Sequence, residues 1–303
     1  MSPITLWSFK RMKILLISPW RNVWVDYFKK FFETKGHTLD YYPQLVVRNA
    51  HHYDVLISGW ADAGVKWLSR HPKLCSKYIC WVRSYEYWHN NMSKINWENI
   101  DNVLFTNKAI RDGMVQHKHI GLDKTTMVHN AIDLDRVGYK EKKAGKKVLF
   151  LADLNFKKGI PLLMQIAMKL PDYKFYIYGN VDSKRDYEYL RYYNLPNLFV
   201  CGYEKDICGL FDKMNYILLT SPVEGNPNCI IEGMASGLKP VVHRFVGSED
   251  QYPFYWDTID EAVTLLTEDK YESLEYRKWV EDKYDMWEVY KSLEEVLMPK
   301  EGK

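Results

Sequence analysis

The chain has 303 residues, 47% of them hydrophobic and 27% charged, with a formal net charge of +3, which is enough for two cores of ordinary domain size. No apolar run approaches the roughly 20 residues that span a bilayer, and the apolar core after the first basic residues, ILLI, is too short for a signal peptide. The five cysteines (Cys75, Cys80, Cys201, Cys208 and Cys229) are odd in number and none stands two residues from another. That argues against a disulfide scaffold or a zinc knuckle and predicts buried thiols in an intracellular, cytoplasmic protein.

The first half alternates apolar strands with amphipathic stretches. KILLIS (Lys13 to Ser18) reads as a strand, and Asp26 to Lys35 as a helix with Tyr27, Phe28, Phe31 and Phe32 at helical spacing, ended by Gly36. TLDYY, DVLIS (Asp54 to Ser58), YICWV (Tyr78 to Val82), NVLFT (Asn102 to Thr106) and TTMVHN (Thr125 to Asn130) follow as strands. Strands at this spacing with helices between them predict a parallel, doubly wound sheet.

Glu141 to Lys147, charged and without an apolar side chain apart from one alanine, reads as a linker. The pattern then restarts with VLFLA (Val148 to Ala152) and a helix from Pro161, a residue favoured in a first helical turn. KFYIYG, LFVCG, YILLT (Tyr216 to Thr220) and PVVHR are the later strands, and Ser273 to Leu297 is acidic, aromatic and helical. The expected domains are 1–140, a linker at 141–147, 148–275, and a C-terminal helix in 276–303 packing back toward the first domain. The predicted fold class is α/β, two Rossmann-like doubly wound parallel-sheet domains facing each other across a cleft.

Charge divides unevenly. Residues 1–143 hold 22 Lys/Arg against 13 Asp/Glu, while the remainder holds 20 against 26. Eight of the nine histidines also lie in the first half. A basic half points to an anionic partner.

The most informative stretch is SPVEGNPNCIIEGMASGLKPVV, Ser221 to Val242. Glu224 and Glu232 stand eight positions apart, separated by a Gly-Asn-Pro-Asn turn and the start of an apolar helix. A strand, a tight polar turn and a helix aim backbone N–H groups and a positive helix end at an anion, usually a phosphate. A carboxylate on either side of that phosphate is placed to hold sugar hydroxyls.

The ordered series NAID (Asn130 to Asp133), KKG (Lys157 to Gly159), IYG (Ile177 to Gly179), VCGYEKDICGLFDKMNYILLTSPVEGNP and IIEGMASGLKPVV, with Gly247 and Glu249 after it, resembles the C-terminal domain of retaining glycosyltransferases of the GT-B fold. This is the large group 1, family-4-like class that includes glycogen and sucrose synthases. The resemblance covers residues 128–250. It implies that Glu232 binds the nucleotide ribose, that Glu224 contacts the donor sugar, and that the backbone of Gly225, Asn226, Pro227 and Asn228 faces sugar and phosphates. Lys158, with Lys157 beside it, would offset the charge of the leaving diphosphate. Gly202 and Tyr203 would meet the nucleobase.

Three positions depart from that pattern. Ala152-Asp153 replaces the usual Gly-Arg, and Pro19-Trp20-Arg21-Asn22 replaces a glycine-rich first loop, leaving Arg21 as a candidate anion holder. Arg83-Ser84 stands where a histidine commonly ends the fourth strand, and Glu86 is its candidate partner. Arg83 is therefore a candidate catalytic residue toward a donor phosphate or an anionic acceptor.

Asp133-Leu134-Asp135 matches a metal-binding Asp-x-Asp pattern, but it occupies the place of the family's structural Asn-Gly-Val-Asp turn. His51-His52 and His117-x-His119 lack a third ligand at metal spacing and read as surface histidines. No Gly-x-Gly-x-x-Gly or Walker-type loop is present, which argues against a nicotinamide enzyme.

The expected protein is a retaining, metal-independent glycosyltransferase that needs no cofactor beyond a nucleoside-diphosphate sugar co-substrate. Its expected acceptor is a glycan, a lipid or another anionic molecule, with nucleic acid still open. Trp7, Phe9, Lys10, Arg11, Trp20 and Trp24 would suit a peripheral contact at the inner face of a membrane or a packed core equally well. Met12 is a second candidate start. The alternatives are a nucleotide-sugar 2-epimerase, which needs no acceptor, and a non-catalytic sugar-nucleotide binding module.

Overall fold

The computed structural model describes residues 11–45, 50–89, 92–117, 119–181 and 184–297. Trp7, Phe9 and Lys10 of the aromatic, basic start lie outside them. The chain forms two compact units. The first is built by the chain up to Thr106, by Ile110–Val128 and by the chain from Tyr290 on, and the second by Asn107–Ala109 and His129–Val289.

The first unit holds six strands: β1 (Lys13–Ile17), β2 (Thr38–Tyr42), β3 (Val55–Ser58), β4 (Lys77–Val82), β5 (Asn102–Phe105) and β6 (Thr125–Met127). They pair in parallel in the order β2-β1-β3-β4-β5-β6. β1, β3 and β4 are apolar almost throughout because helices cover both faces of a parallel sheet. The first helix runs Val23–Thr34, three residues earlier than its apolar spacing suggested, because Trp24 and Val25 are buried as well. Phe28 and Phe31 pack edge-on against Tyr290, at 5.1 and 5.5 Å between ring centroids. The last described helix, Lys291–Leu297, is tied to β4 by the Lys77 ammonium, which donates to the Val296 carbonyl at 2.6 Å.

The second unit repeats the plan with β7 (Lys147–Leu151), β8 (Lys174–Tyr178), β9 (Leu198–Gly202), β10 (Tyr216–Leu219), β11 (Lys239–His243) and a two-residue β12 (Tyr255–Trp256). The parallel order is β12-β11-β10-β7-β8-β9. One core, with Leu163, Met164 and Phe175, lies on one face of this sheet, and another, with Ile230, Met234 and Tyr276, on the other. Residues 141–147, read as a linker, pack on this unit. Lys142 is buried, its N–H donating to Ser273 Oγ and its ammonium to the Asp212 carbonyl, and Lys147 opens β7. The helices Ser273–Tyr284 and Met286–Val289 also belong here.

The expectation of buried thiols needs correction. Cys80 is buried, but Cys75 and Cys229 are half-buried and Cys201 and Cys208 are exposed. Cys201 lies on β9, the edge strand, whose residues Phe199 to Cys201 face solvent although their composition reads as core.

Glu86 ties two strand ends of the first unit together. It is 3% exposed, accepting from the Ala61 N–H at 3.0 Å and the Arg83 N–H at 2.9 Å. Burial pushes its carboxyl up to about 7 against those two bonds. Glu86→Ala leaves both donors unmet and should lower the unfolding free energy by about 2–4 kcal/mol. Glu86→Gln keeps one acceptor and should lose about half as much, read by denaturant titration.

Candidate active site

In the second sheet the chain leaves β7 toward β8 and β9 on one side, then returns to place β10 on the other. The loops following β7 and β10 therefore diverge at neighbouring strand ends, the place where open α/β sheets take their ligands. Gly159 draws the two loops together. Its φ is +67°, and a Cβ there would lie 2.0 Å from the Thr220 carbonyl oxygen, so only glycine fits. The Thr220 hydroxyl donates to the Lys158 carbonyl at 2.6 Å. Lys158 is thereby fixed, and its ammonium donates to Glu224 Oε1 at 2.6 Å. Burial pulls the Lys158 pKa down, but the charge and hydrogen bond of Glu224 outweigh it and the net direction is up. Lys158 thus stays a cation in a shielded place, where a charge acts more strongly than in water.

The turn after Glu224 is held from behind by buried amides. Asn226 is 4% exposed. Its Oδ1 accepts from the Asn130 N–H at 2.8 Å, and its Nδ2 donates to Gln251 Oε1 at 2.8 Å. The Gly225 carbonyl accepts from Gln251 Nε2 at 2.7 Å and from Asn107 Nδ2 at 3.3 Å. Gln251 is fixed in turn by the Tyr284 hydroxyl, which donates to its carbonyl at 2.7 Å. Gly247, at φ +86°, leaves the space that the Asn107 amide fills. The Asn226 side chain is therefore spent on scaffolding, and what the turn can offer a ligand is its main chain. Pro227 has no N–H, so those donors belong to Gly225, Asn226 and Asn228.

The helix Asn228–Ala235 starts directly after this turn. Glu232 lies on it, and among the described residues its carboxylate makes no hydrogen bond or ion pair. Burial pushes it up to about 7, with Arg136 opposing. Cys229 is pushed up to about 12 by burial, and it feels the charges of Lys158, Glu224 and Glu232. Lys158, Glu224, Cys229 and Glu232 thus share one electrostatic environment.

Other expected site residues are placed apart from this group. Lys157 is exposed in the turn before Gly159. Gly202 ends β9, its carbonyl accepting from the Gly179 N–H at 2.9 Å, and Tyr203 after it is 66% exposed. Asp153, where the resemblance leads one to expect arginine, accepts from the Asn180 N–H at 2.9 Å. Asp133 Oδ1 accepts from the Asp135 N–H at 3.2 Å, a turn-forming bond. His51, His52, His117 and His119 are exposed.

In the first unit Arg21 pairs with Asp26 at 3.0 Å. The Arg83 guanidinium lies 3.9 Å over the Trp81 ring, 5.0 Å from Trp24 and 6.0 Å from Trp60, with Nε donating to the Gly59 carbonyl. Burial lowers its pKa to about 10. Asn107, Gln251, Cys229 and Tyr252, whose hydroxyl accepts from Asn226 Nδ2 at 3.4 Å, were missed by sequence reasoning. Cys229 lies inside the motif itself, one residue after Asn228, and could have been found there. Nothing local marks the others.

A family model described as Glycosyl transferases group 1 matches residues 145–299, just over half of the chain. The chain belongs to this family. Its two six-stranded parallel sheets have the α/β architecture of GT-B glycosyltransferases. Among solved structures, a mutant of S. aureus TarM in complex with fondaparinux, α-GlcNAc-glycerol and UDP is 17% identical at a TM-score of 0.67, covering 81% of this chain. This chain spans only 55% of the TarM chain. Anabaena HepE in complex with UDP and glucose is 14% identical at a TM-score of 0.71, covering 95% of this chain and 99% of HepE. A glycosyltransferase from Rickettsia africae is 13% identical at 0.73, covering 95% and 98%. At these identities the likeness speaks for the fold. No curated protein matches the sequence. Among the described residues no helix is long and apolar enough to cross a membrane.

A carboxyl whose folded pKa stands above its unfolded value of about 4.3 loses stability as it ionises. For Glu232, at about 7, that loss falls between the two values. Denaturant midpoints of wild type and Glu232→Gln should therefore diverge in favour of the variant from pH 5 to pH 8. Midpoints that stay parallel would contradict the buried placement.

Proposed function

We propose that this group 1 glycosyltransferase moves a sugar from a nucleoside-diphosphate donor to an acceptor hydroxyl, with retention of configuration and without a metal. The observation that carries this reading is Lys158 held by Glu224 beside the start of the Asn228–Ala235 helix. A cation and a helix N-terminus side by side match the charge that grows on a departing diphosphate. In the transfer, the bond from the anomeric carbon to the phosphate oxygen breaks and a bond to the acceptor oxygen forms. The acceptor proton passes to the leaving phosphate oxygen on the same face.

Glu232, unpartnered among the described residues, suits the ribose hydroxyls, and Glu224 suits the donor sugar. Main-chain N–H groups of Gly225, Asn226 and Asn228 would face the phosphates, and Lys157 adds charge. Gly202 and Tyr203 would border the base. Arg83 we assign to support of the first unit rather than to chemistry, because its guanidinium is packed among three indoles. Asp153 in the place of arginine leaves Lys158 as the principal cation of this loop.

Lys158→Ala should lower turnover of the accepted donor about 10²–10³-fold, the scale for loss of one group that stabilises developing charge. Glu232→Ala should raise the donor KM more than it lowers kcat. Turnover unchanged in both variants would overturn the assignment. Donor binding with no turnover in the wild type, across an acceptor panel, would favour a binding module.

A further inference from the structure

The first sheet has a switch point of its own, between β1 and β3, and matching tripeptides follow those two strands. Ser18-Pro19-Trp20 comes after β1, and Ser58-Gly59-Trp60 ends β3. The strands pair in register at Ile17 and Ser58. Each serine is buried and donates its hydroxyl to the carbonyl of the tryptophan two residues on, at 2.9 Å for Ser18 and 2.7 Å for Ser58. The two indoles meet edge to face, their centroids 4.8 Å apart. Trp60 is backed by Arg83, which rests on Trp81 and Trp24. Trp20, by contrast, is 54% exposed. An indole left in water, its main chain held by a buried bond and its ring by a braced partner, has less rotamer freedom to lose on binding.

These rings border a pocket of about 270 Å³ lined by Trp20, Trp60, Tyr85, Asp62, Lys66 and Glu86. Both Glu86 oxygens accept backbone N–H groups, and Asp62 Oδ1 accepts from the Gly64 and Val65 N–H groups. That leaves Asp62 Oδ2 and the Lys66 ammonium, which makes no hydrogen bond or ion pair among the described residues, to meet a ligand.

We propose that this pocket binds the acceptor and that the acceptor is a saccharide. The apolar C–H face of one sugar ring stacks on the exposed Trp20, with Trp60 holding that indole edge to face, and its hydroxyls meet Asp62 and Lys66. The ring face carries slight positive charge and the indole face is electron-rich, so the contact adds to the area buried. Its volume is just below the range of small-molecule pockets and suits a single ring. Nucleic acid and anionic lipid fit poorly. Both need a cationic surface, whereas here the one ammonium, Lys66, is offset by the Asp62 carboxylate, and Glu86 is turned to backbone N–H groups. The basic composition of the first half pointed to an anionic acceptor, and the pocket lining redirects that expectation. The word acceptor rests on the transferase reading, while the saccharide assignment rests on the pocket itself.

The test is binding of the purified protein to an array of defined saccharides, with dissociation constants for the hits. Stabilisation by UDP and by GDP is measured in parallel. Wild type should bind one class of saccharide, and Trp20→Ala should weaken it at least tenfold, with Trp20→Phe in between. Nucleotide stabilisation should be the same in all three. Failure of UDP and GDP to stabilise the wild type would strike the donor reading, and the array would still decide this one. The proposal is overturned if the wild type binds no saccharide or if Trp20→Ala binds as well as wild type. It is also overturned if Trp20-dependent binding goes instead to phosphatidylglycerol vesicles or to a short oligothymidine.

Discussion

A single buried amide, that of Asn226, fixes the turn on which the proposed chemistry of the second unit depends. It joins the chain at Asn130, the turn after Glu224 and the segment at Gln251. These three stretches are distant in sequence, and no apolar contact could fix their relative orientation as a set of directed bonds does. Buried amides must be satisfied, so the turn has one conformation in which all of them are. That conformation leaves its main-chain N–H groups at the head of the Asn228–Ala235 helix and holds Glu224 where Lys158 reaches it. Close approach at Gly159 completes the constraint from the other loop.

The electrostatics follow from this rigidity. Lys158 and Glu224 are mostly shielded from solvent, and removing one would leave the other uncompensated. Glu232 makes no hydrogen bond or ion pair among the described residues, and burial, opposed by the charge of Arg136, makes it hold its proton more firmly. On the proposed function, a nucleoside diphosphate would bring negative charge to Lys158 and the helix start and hydroxyl donors to Glu232.

Much of this was legible in the sequence because strand periodicity and the ordered motif series are local. TLDYY and LFVCG were placed to the residue and the other expected strands to within three, while the two-residue β12 was not foreseen. What escaped depends on distant partners. Nothing in the turn itself says that Asn226 points inward, since that is decided by Gln251 and Asn130. Arg83 reads in the sequence as a candidate functional cation, and its packing among Trp81, Trp24 and Trp60 depends on two partners, the last two, far from it in the chain. The β9 residues read as core because edge exposure is a property of strand order, which composition does not encode. The paired Ser-x-Trp tripeptides were visible in the sequence, yet their meaning requires β1 and β3 to be neighbours.

A crystal structure with UDP or GDP bound tests most directly whether a nucleoside diphosphate is seated at the Lys158 loop. The diphosphate should lie within hydrogen-bond distance of Lys158 Nζ and the Asn228 N–H, with the ribose hydroxyls on Glu232 and the Asn226 amide unmoved. A nucleotide bound elsewhere, or one that reaches this loop only after the Asn226 bonds break, would contradict it.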